Sequence, residues 1–286
     1  MVAFVKARRQ IAGAKESKSL LPLVLIGLSL LYVGLIIIIP AANVAVQAFS
    51  EGLSGFIKNL GDRNLQEAIR LTLLMGVISV PLNTLFGLAA AFAIARKQFP
   101  GKSLLLSVID LPFSISPVVA GLMIVLLYGR NGWLGPFLES NNIKIIFAWP
   151  GMALATIFVS MPFVAREVIP NLEEIGTDAE EAASTLGANG WQTFWRVTLP
   201  SIKWSMLYGV VLTTARALGE FGAVSVVSGS ITGKTQTLPL FVEEAYKQYQ
   251  TTLSYTAALL LGGISLVTLV LKAILEARTG RQGRLH

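Results

Sequence analysis

Five stretches of this chain contain no Asp, Glu, Lys or Arg, and each is 19 residues or longer: 19–50, 71–95, 111–129, 145–165 and 248–271. About 20 mostly apolar residues span the hydrocarbon of a bilayer as a helix, so each of these can cross. A sixth stretch, 205–228, would qualify but for Arg216 and Glu220. The pattern predicts an all-α polytopic membrane protein with about six transmembrane helices, near 21–42, 65–95, 103–128, 147–169, 205–228 and 253–275. A composition of 53% hydrophobic and 14% charged residues agrees, since soluble domains carry about 25% charge.

The same inventory excludes much chemistry. There is no cysteine, so no disulfide, thiolate metal site or thiol nucleophile. The single histidine is the last residue, His286, which removes histidine triads and metal clusters from the membrane. No catalytic residue, bound cofactor or metal is therefore expected in this chain. The net charge of +7 comes from dispersed loop residues and not from one basic stripe, so nucleic acid is not the expected partner. With both termini inside, the inside segments carry fifteen Lys and Arg and the outside loops six. That asymmetry favours a cytoplasmic N-terminus and C-terminus. The apolar stretch after residue 19 is too long for a cleavable signal peptide.

This gives an expected division into a basic cytoplasmic tail (1–19), a first helix with its outside loop (20–64), a core (65–276) containing a long inside loop (166–204), and a second tail (277–286). In the loop, Thr177 and Glu180 have the spacing of a capping box, and Asp178, Glu180 and Glu181 put negative charge in the first turn of a short helix. Gly187 suits a left-handed stop. A second helix then carries Trp191, Phe194 and Trp195 and should end at Pro200. The aromatic half suits a membrane interface; the half rich in alanine and acid suits another protein.

Glu181-Ala182-Ala183, then Gly187 after three residues, then Val197-Thr198-Leu199-Pro200 after nine more, resembles the EAA signature (E-A-A-x3-G-x9-I-x-L-P) of ABC importer permeases, with Val197 in place of isoleucine. The stretches DLPFSISPVVAG (110–121), ARALGEFGAVSVVSG (215–229) and GKTQTLP (233–239) are similar to the sulfate/molybdate branch, most of all to the W-type permease subunits of sulfate/thiosulfate importers. The resemblance covers roughly residues 65–276, departing at Val197, Asn189 and Ser230. It implies a type I ABC importer permease fold in a bacterial-type inner membrane. It also implies a second homologous permease subunit, cytoplasmic ABC ATPase subunits that consume Mg-ATP, and a soluble sulfate-binding protein. In that reading Glu181, Ala182, Ala183 and Gly187 form the ATPase-coupling segment. A molybdate or tungstate permease is the alternative, and a self-sufficient anion channel or secondary carrier a more distant one.

The spans themselves supply further candidates. Arg216 sits about 16 Å from the cytoplasmic end of its span, near the bilayer midplane, where a charge costs about 3 kcal/mol and normally faces a bundle interior or wet cavity. Glu220, four residues on, is its expected partner; it either fixes packing or shares the anion path. Pro112 and Pro117, flanked by Ser114 and Ser116, free backbone carbonyls and mark the third span as pathway-lining or kinked. Asp110 is a second possible partner for Arg216. Residues 229–235 imitate a phosphate-binding loop, but G-x4-G-K-[ST] needs glycine at 228 and the chain has Ser228.

The charge asymmetry yields a topological expectation. A Ser230→Cys variant of this cysteine-free chain should react with impermeant maleimide in intact cells; protection there with reactivity in inverted vesicles would reverse the orientation.

Overall fold

The structure, a computed structural model, describes residues 21–282; the tail 1–19 and residues 283–286 of the second tail lie outside it. Two units separate by contact, residues 1–46 and 47–286.

The described part of the first unit is one long helix: α1 (Leu21–Val33), a π-helical stretch (Gly34–Ile38) and the start of α2 (Ile39–Ala48). Its side chains are apolar all round and exposed, among them Leu25, Leu28, Ile36 and Ile38. A helix without a polar face has only lipid or other apolar helices to meet. Pro40 explains the π stretch. It has no N–H, and its ring would press on the carbonyl one turn back, so the preceding turn widens and Ile39 N–H bonds Gly34 O.

The second unit begins with α3 (Gly52–Leu60) and α4 (Arg63–Arg96), a 34-residue helix whose first turn is capped by the Asp62 carboxylate on Leu65 N–H at 2.9 Å. Next come α5 (Lys102–Ser114), α6 (Pro117–Tyr128), α7 (Gly135–Ser140), α8 (Trp149–Ser160) and α9 (Pro162–Ile175). The inside loop supplies α10 (Asp178–Thr185) and α11 (Gly190–Thr193), and a second π stretch (Phe194–Thr198) leads into α12 (Leu199–Leu218). The chain closes with α13 (Gly222–Ser228), α14 (Leu238–Lys247) and α15 (Thr251–Gln282), which runs on into the segment expected as tail.

Among the described residues four helices are long and apolar enough to cross a bilayer, or six if two bent pairs each count as one span. The bend in the third span falls where its prolines allowed a kink, whereas the bend in the fifth corrects the continuous span 205–228 expected from sequence. α5 and α6 meet at 112°, because Pro117 forces Ser116 out of the helical region (φ −57°, ψ 134°) and Ile115 is extended as well. The fifth span bends by 48° between Leu218 and Gly222. Conversely, Pro200 does not end a helix. The π stretch before it accommodates the proline, with Leu199 N–H bonding Phe194 O, so one helix runs from Gly190 to Leu218.

The helices after the two bends pack on each other. A Cβ on Gly121 of α6 would sit 2.6 Å from Ala223 O of α13, and one on Gly222 2.9 Å from Pro117 Cβ. This is the close small-residue approach that membrane helices use in place of a hydrophobic drive. α9 is gripped on two sides by the same device, through Gly87 of α4 and Gly209 of α12, both closed by Val164. Around it Ala91, Ile94, Val168, Leu172 and Ile202 form one buried cluster. A second, around Met75, Met152, Ala155, Val224 and Val227, joins α4, α8 and α13.

Between α8 and α9, Met161 N–H turns to Phe158 O and Pro162 has no N–H, which leaves the Ile157 carbonyl without its usual donor. Asn83, inside α4 and 1% exposed, supplies one: its Nδ2 donates to Ile157 O at 3.1 Å and to Ser160 Oγ at 2.8 Å. In hydrocarbon that donor is what makes the break tolerable.

Replacing Gly121 with Ala should lower the melting temperature of the purified protein by the amount expected for about 1–3 kcal/mol of overpacking. Gly262→Ala, where nothing lies within 4 Å of an added Cβ, should be neutral or better. Equal melting temperatures for the two variants would contradict the α6–α13 packing.

Candidate functional site

The inside loop is built as a hairpin tied to the span ends. α9 stops at Gly176, whose φ of 70° and ψ of −164° suit only glycine. α10 follows and ends in a Schellman arrangement: Ala188 N–H bonds Ala183 O and Gly187 N–H bonds Ser184 O, both at 3.0 Å, with Gly187 at φ 87°. An added Cβ at Gly187 would touch nothing within 4 Å, so the backbone twist alone demands glycine there.

The expected capping box at Thr177 does not form. The Thr177 hydroxyl donates to the Glu181 carboxylate at 2.6 Å and makes no cap bond, because Glu180 is engaged elsewhere. The box forms instead at Asn189 and Gln192, whose side chains bond each other's backbone N–H at 2.9 and 3.0 Å and start α11. Asparagine is as good an N-cap as threonine, and here no tertiary partner competes for the side chains.

Arg96, the last residue of α4, takes Glu180. Its Nε and Nη2 meet Glu180 Oε2 and Oε1 at 3.1 Å each, while Nη1 and Nη2 donate to the carbonyls of Leu172 and Gly176 at 2.7 Å. Thr198 adds a hydroxyl to Glu180 Oε1 at 2.9 Å. The arginine and glutamate side chains are only 12% and 22% exposed. One planar guanidinium thus joins α4, the end of α9, α10 and the root of α12, using the bidentate geometry that lysine lacks. Glu180 and Glu181 are neighbours about 100° apart on the helix, and they divide the work. Glu180 faces inward to the clasp; Glu181 and Ala182 are exposed and Ala183 half-buried, with Leu186 88% exposed beside them.

The span candidates fall into two groups. Arg216 and Glu220 form an ion pair between one Arg216 Nη and Glu220 Oε2, the glutamate side chain buried and the arginine 30% exposed. Glu220 is not one turn along the same helix, as expected. It lies in the bend after α12, where Oε1 accepts Ala223 N–H at 2.7 Å. It therefore locks the first turn of α13 and neutralises Arg216 with one carboxylate, and the dipole of α13 favours negative charge there.

Asp110 does not partner Arg216. It pairs with Arg166, a residue that sequence reading treated only as a loop charge, at 2.7 Å (Nε to Oδ1) and 2.5 Å (Nη2 to Oδ2). That bridge ties α5 to α9. Pro112 is buried in α5, Ser114 and Ser116 are exposed at the bend, and Pro117 opens α6 half-buried against Gly222. Residues 229–235 are no phosphate cradle: the Thr235 hydroxyl donates to Ser228 O at 2.7 Å and accepts Ile231 N–H, so the loop satisfies itself.

Residues 83–281 match the family described as binding-protein-dependent transport system inner membrane component, a stretch that contains the clasp and every span candidate. The chain belongs to this family. It is 97% identical over 286 residues, the whole of both chains, to the protein named sulfate transport system permease protein CysW of Synechococcus elongatus. A protein of the same name from Synechocystis sp. is 64% identical over 256 residues, 90% of this chain and 93% of that one. In three dimensions the chain resembles one from a bacterial alginate ABC transporter solved with an alginate-pentasaccharide-bound periplasmic protein. The TM-score is 0.75 at 16% identity, covering 92% of this chain and 96% of the other. Its fold is thus that of ABC importer permeases, and the family is one of inner-membrane components.

Glu180→Gln removes the charge from the clasp and should loosen the hairpin by on the order of 2 kcal/mol, less than a fully buried pair would lose. Hydrogen exchange over residues 176–198 should then accelerate more than tenfold with α4 unchanged, whereas Glu181→Gln should leave it unaltered. Equal effects would show that the two glutamates share the clasp.

Proposed function

We propose that this chain is the transmembrane permease subunit of an ATP-driven importer for sulfate and thiosulfate. The observation that carries the substrate is whole-length identity of 97% to a protein named a sulfate transport permease. A dianion cannot cross hydrocarbon unassisted, since isolated charge costs tens of kcal/mol there by Born solvation. The chain accordingly forms half of a hydrated, gated path and a second homologous permease the other half. A periplasmic binding protein delivers the anion, and two cytoplasmic ATPase subunits hydrolyse Mg-ATP. The orientation has both termini in the cytoplasm.

In this reading the face of α10 bearing Glu181, Ala182 and Ala183 docks on the ATPase. Small residues allow close approach, and Glu181 gives a polar contact. The clasp of Arg96 on Glu180 passes the displacement of α10 to the ends of α4, α9 and α12. The bent spans, with Ser114, Ser116 and the Arg216–Glu220 pair, border the path. The partly exposed guanidinium suits an anion in transit, and Pro112, Pro117 and the Asp110–Arg166 bridge hold the bend in place.

The direct test is labelled-sulfate uptake in a strain lacking the chain, with thiosulfate, molybdate and tungstate as competitors. Sulfate uptake restored by this chain, and competed by thiosulfate well below the molybdate concentration needed, is the expected result; preferential competition by molybdate would overturn the substrate. Glu181→Lys and Gly187→Val should each abolish uptake at normal expression by uncoupling the ATPase, and normal uptake would refute the docking face. Arg216→Leu should impair assembly by leaving Glu220 as a buried lone charge, a loss of roughly 3 to 5 kcal/mol. The pair Arg216→Leu with Glu220→Gln keeps the α13 cap and should assemble better. Full assembly without uptake would assign Arg216 to the anion path; restored uptake would make the pair architectural.

A further inference from the structure

The inside hairpin has a second, chemically different half. The helix from Gly190 to Leu218 has 29 residues and is about 43 Å long, some 13 Å more than the hydrocarbon core needs. Arg216, near its C-terminal end, lies at membrane depth, so the excess falls at the N-terminal end, which includes residues 190–198. There Phe194 turns inward, its ring 5.3 Å from that of Phe92 on α4. Trp191 and Trp195, one turn apart, turn outward with 70% and 50% exposure, stacked edge to face at 5.6 Å. Exposed Arg196 and Lys203 flank them. No acidic residue lies between Glu181 and Glu220.

We propose that Trp191 and Trp195 seat this end of the helix in the headgroup layer of the cytoplasmic leaflet, with Arg196 and Lys203 on anionic lipid phosphates. Indole rings prefer that depth because one edge is apolar and the N–H can meet water or a carbonyl. Basic side chains near a negative leaflet add about 1 kcal/mol each. Charge separates the two halves of the hairpin. α10 carries Asp178, Glu180 and Glu181 in its first turn and would be repelled by such a leaflet, whereas residues 190–204 carry positive charge only. The root of the coupling hairpin is thereby held at fixed depth while α10 stays free to move with a protein partner. This placement rests on the proposed cytoplasmic location of the loop.

A nitroxide attached to single-cysteine variants of this cysteine-free chain tests it, with labelling before assembly with the partner subunits in nanodiscs of phosphatidylcholine and phosphatidylglycerol. Labels at Trp191→Cys and Trp195→Cys should collide with lipid-dissolved oxygen several-fold more than with aqueous nickel chelate, with or without the ATPase. A label at Leu186→Cys should show the reverse ratio. Arg196→Gln with Lys203→Gln, tryptophans kept, should at least halve retention of the hairpin label on phosphatidylglycerol relative to pure phosphatidylcholine. Nickel-dominated collisions at 191 and 195 would overturn the proposal, as would immobilisation of those labels only when the ATPase is added, which would make the occupant a protein. A lipid-depth reading at 195 together with outside-in labelling results at Ser230 opposite to those expected would keep the seat and refute the orientation instead.

Discussion

A polar group in hydrocarbon must find a partner inside the protein, and the architecture of this permease follows from how each break meets that demand. Within α1–α2, α4 and α15 the helical ladder itself satisfies it. At three breaks in the ladder a specific side chain completes it. Asn83 supplies a donor to the carbonyl freed before Pro162. Glu220 accepts the Ala223 N–H in the first turn of α13. Arg96 caps two carbonyls at the end of α9. These three side chains sit at discontinuities, where an orphaned group would cost several kcal/mol.

The bends also decide which helices can touch. α6 and α13 each begin after a bend, and their contact depends on Gly121 and Gly222 having no side chain. A straight third and fifth span would place these glycines on different neighbours. The same bends leave Ser114, Ser116 and the guanidinium of Arg216 partly exposed, so breaking the helix and presenting polar groups are one structural event.

The hairpin divides its contacts by sequence chemistry. Its acidic, alanine-rich helix offers a small, polar face, while its aromatic, basic half continues directly into a membrane-spanning helix. The clasp around Glu180 connects both halves to the ends of three spans. Movement of α10 therefore cannot remain local, because the nearest covalent and hydrogen-bonded attachments are α4, α9 and α12.

The sequence by itself determined that the chain is helical and crosses a membrane about six times, because charge-free length against bilayer thickness admits little else. It also determined the left-handed stop at Gly187, since a backbone twist that only glycine adopts freely is a local property. The pairing of Arg216 with Glu220 was legible from spacing, although its geometry across a bend was not. Tertiary structure alone decided that Glu180 and not Glu181 faces inward, that Asp110 belongs to Arg166, and that Pro200 is absorbed by a π turn. Adjacent residues of one type differ only in what the fold brings opposite them. For Glu180 that is an arginine 84 positions away, which also caps two carbonyls at the end of α9.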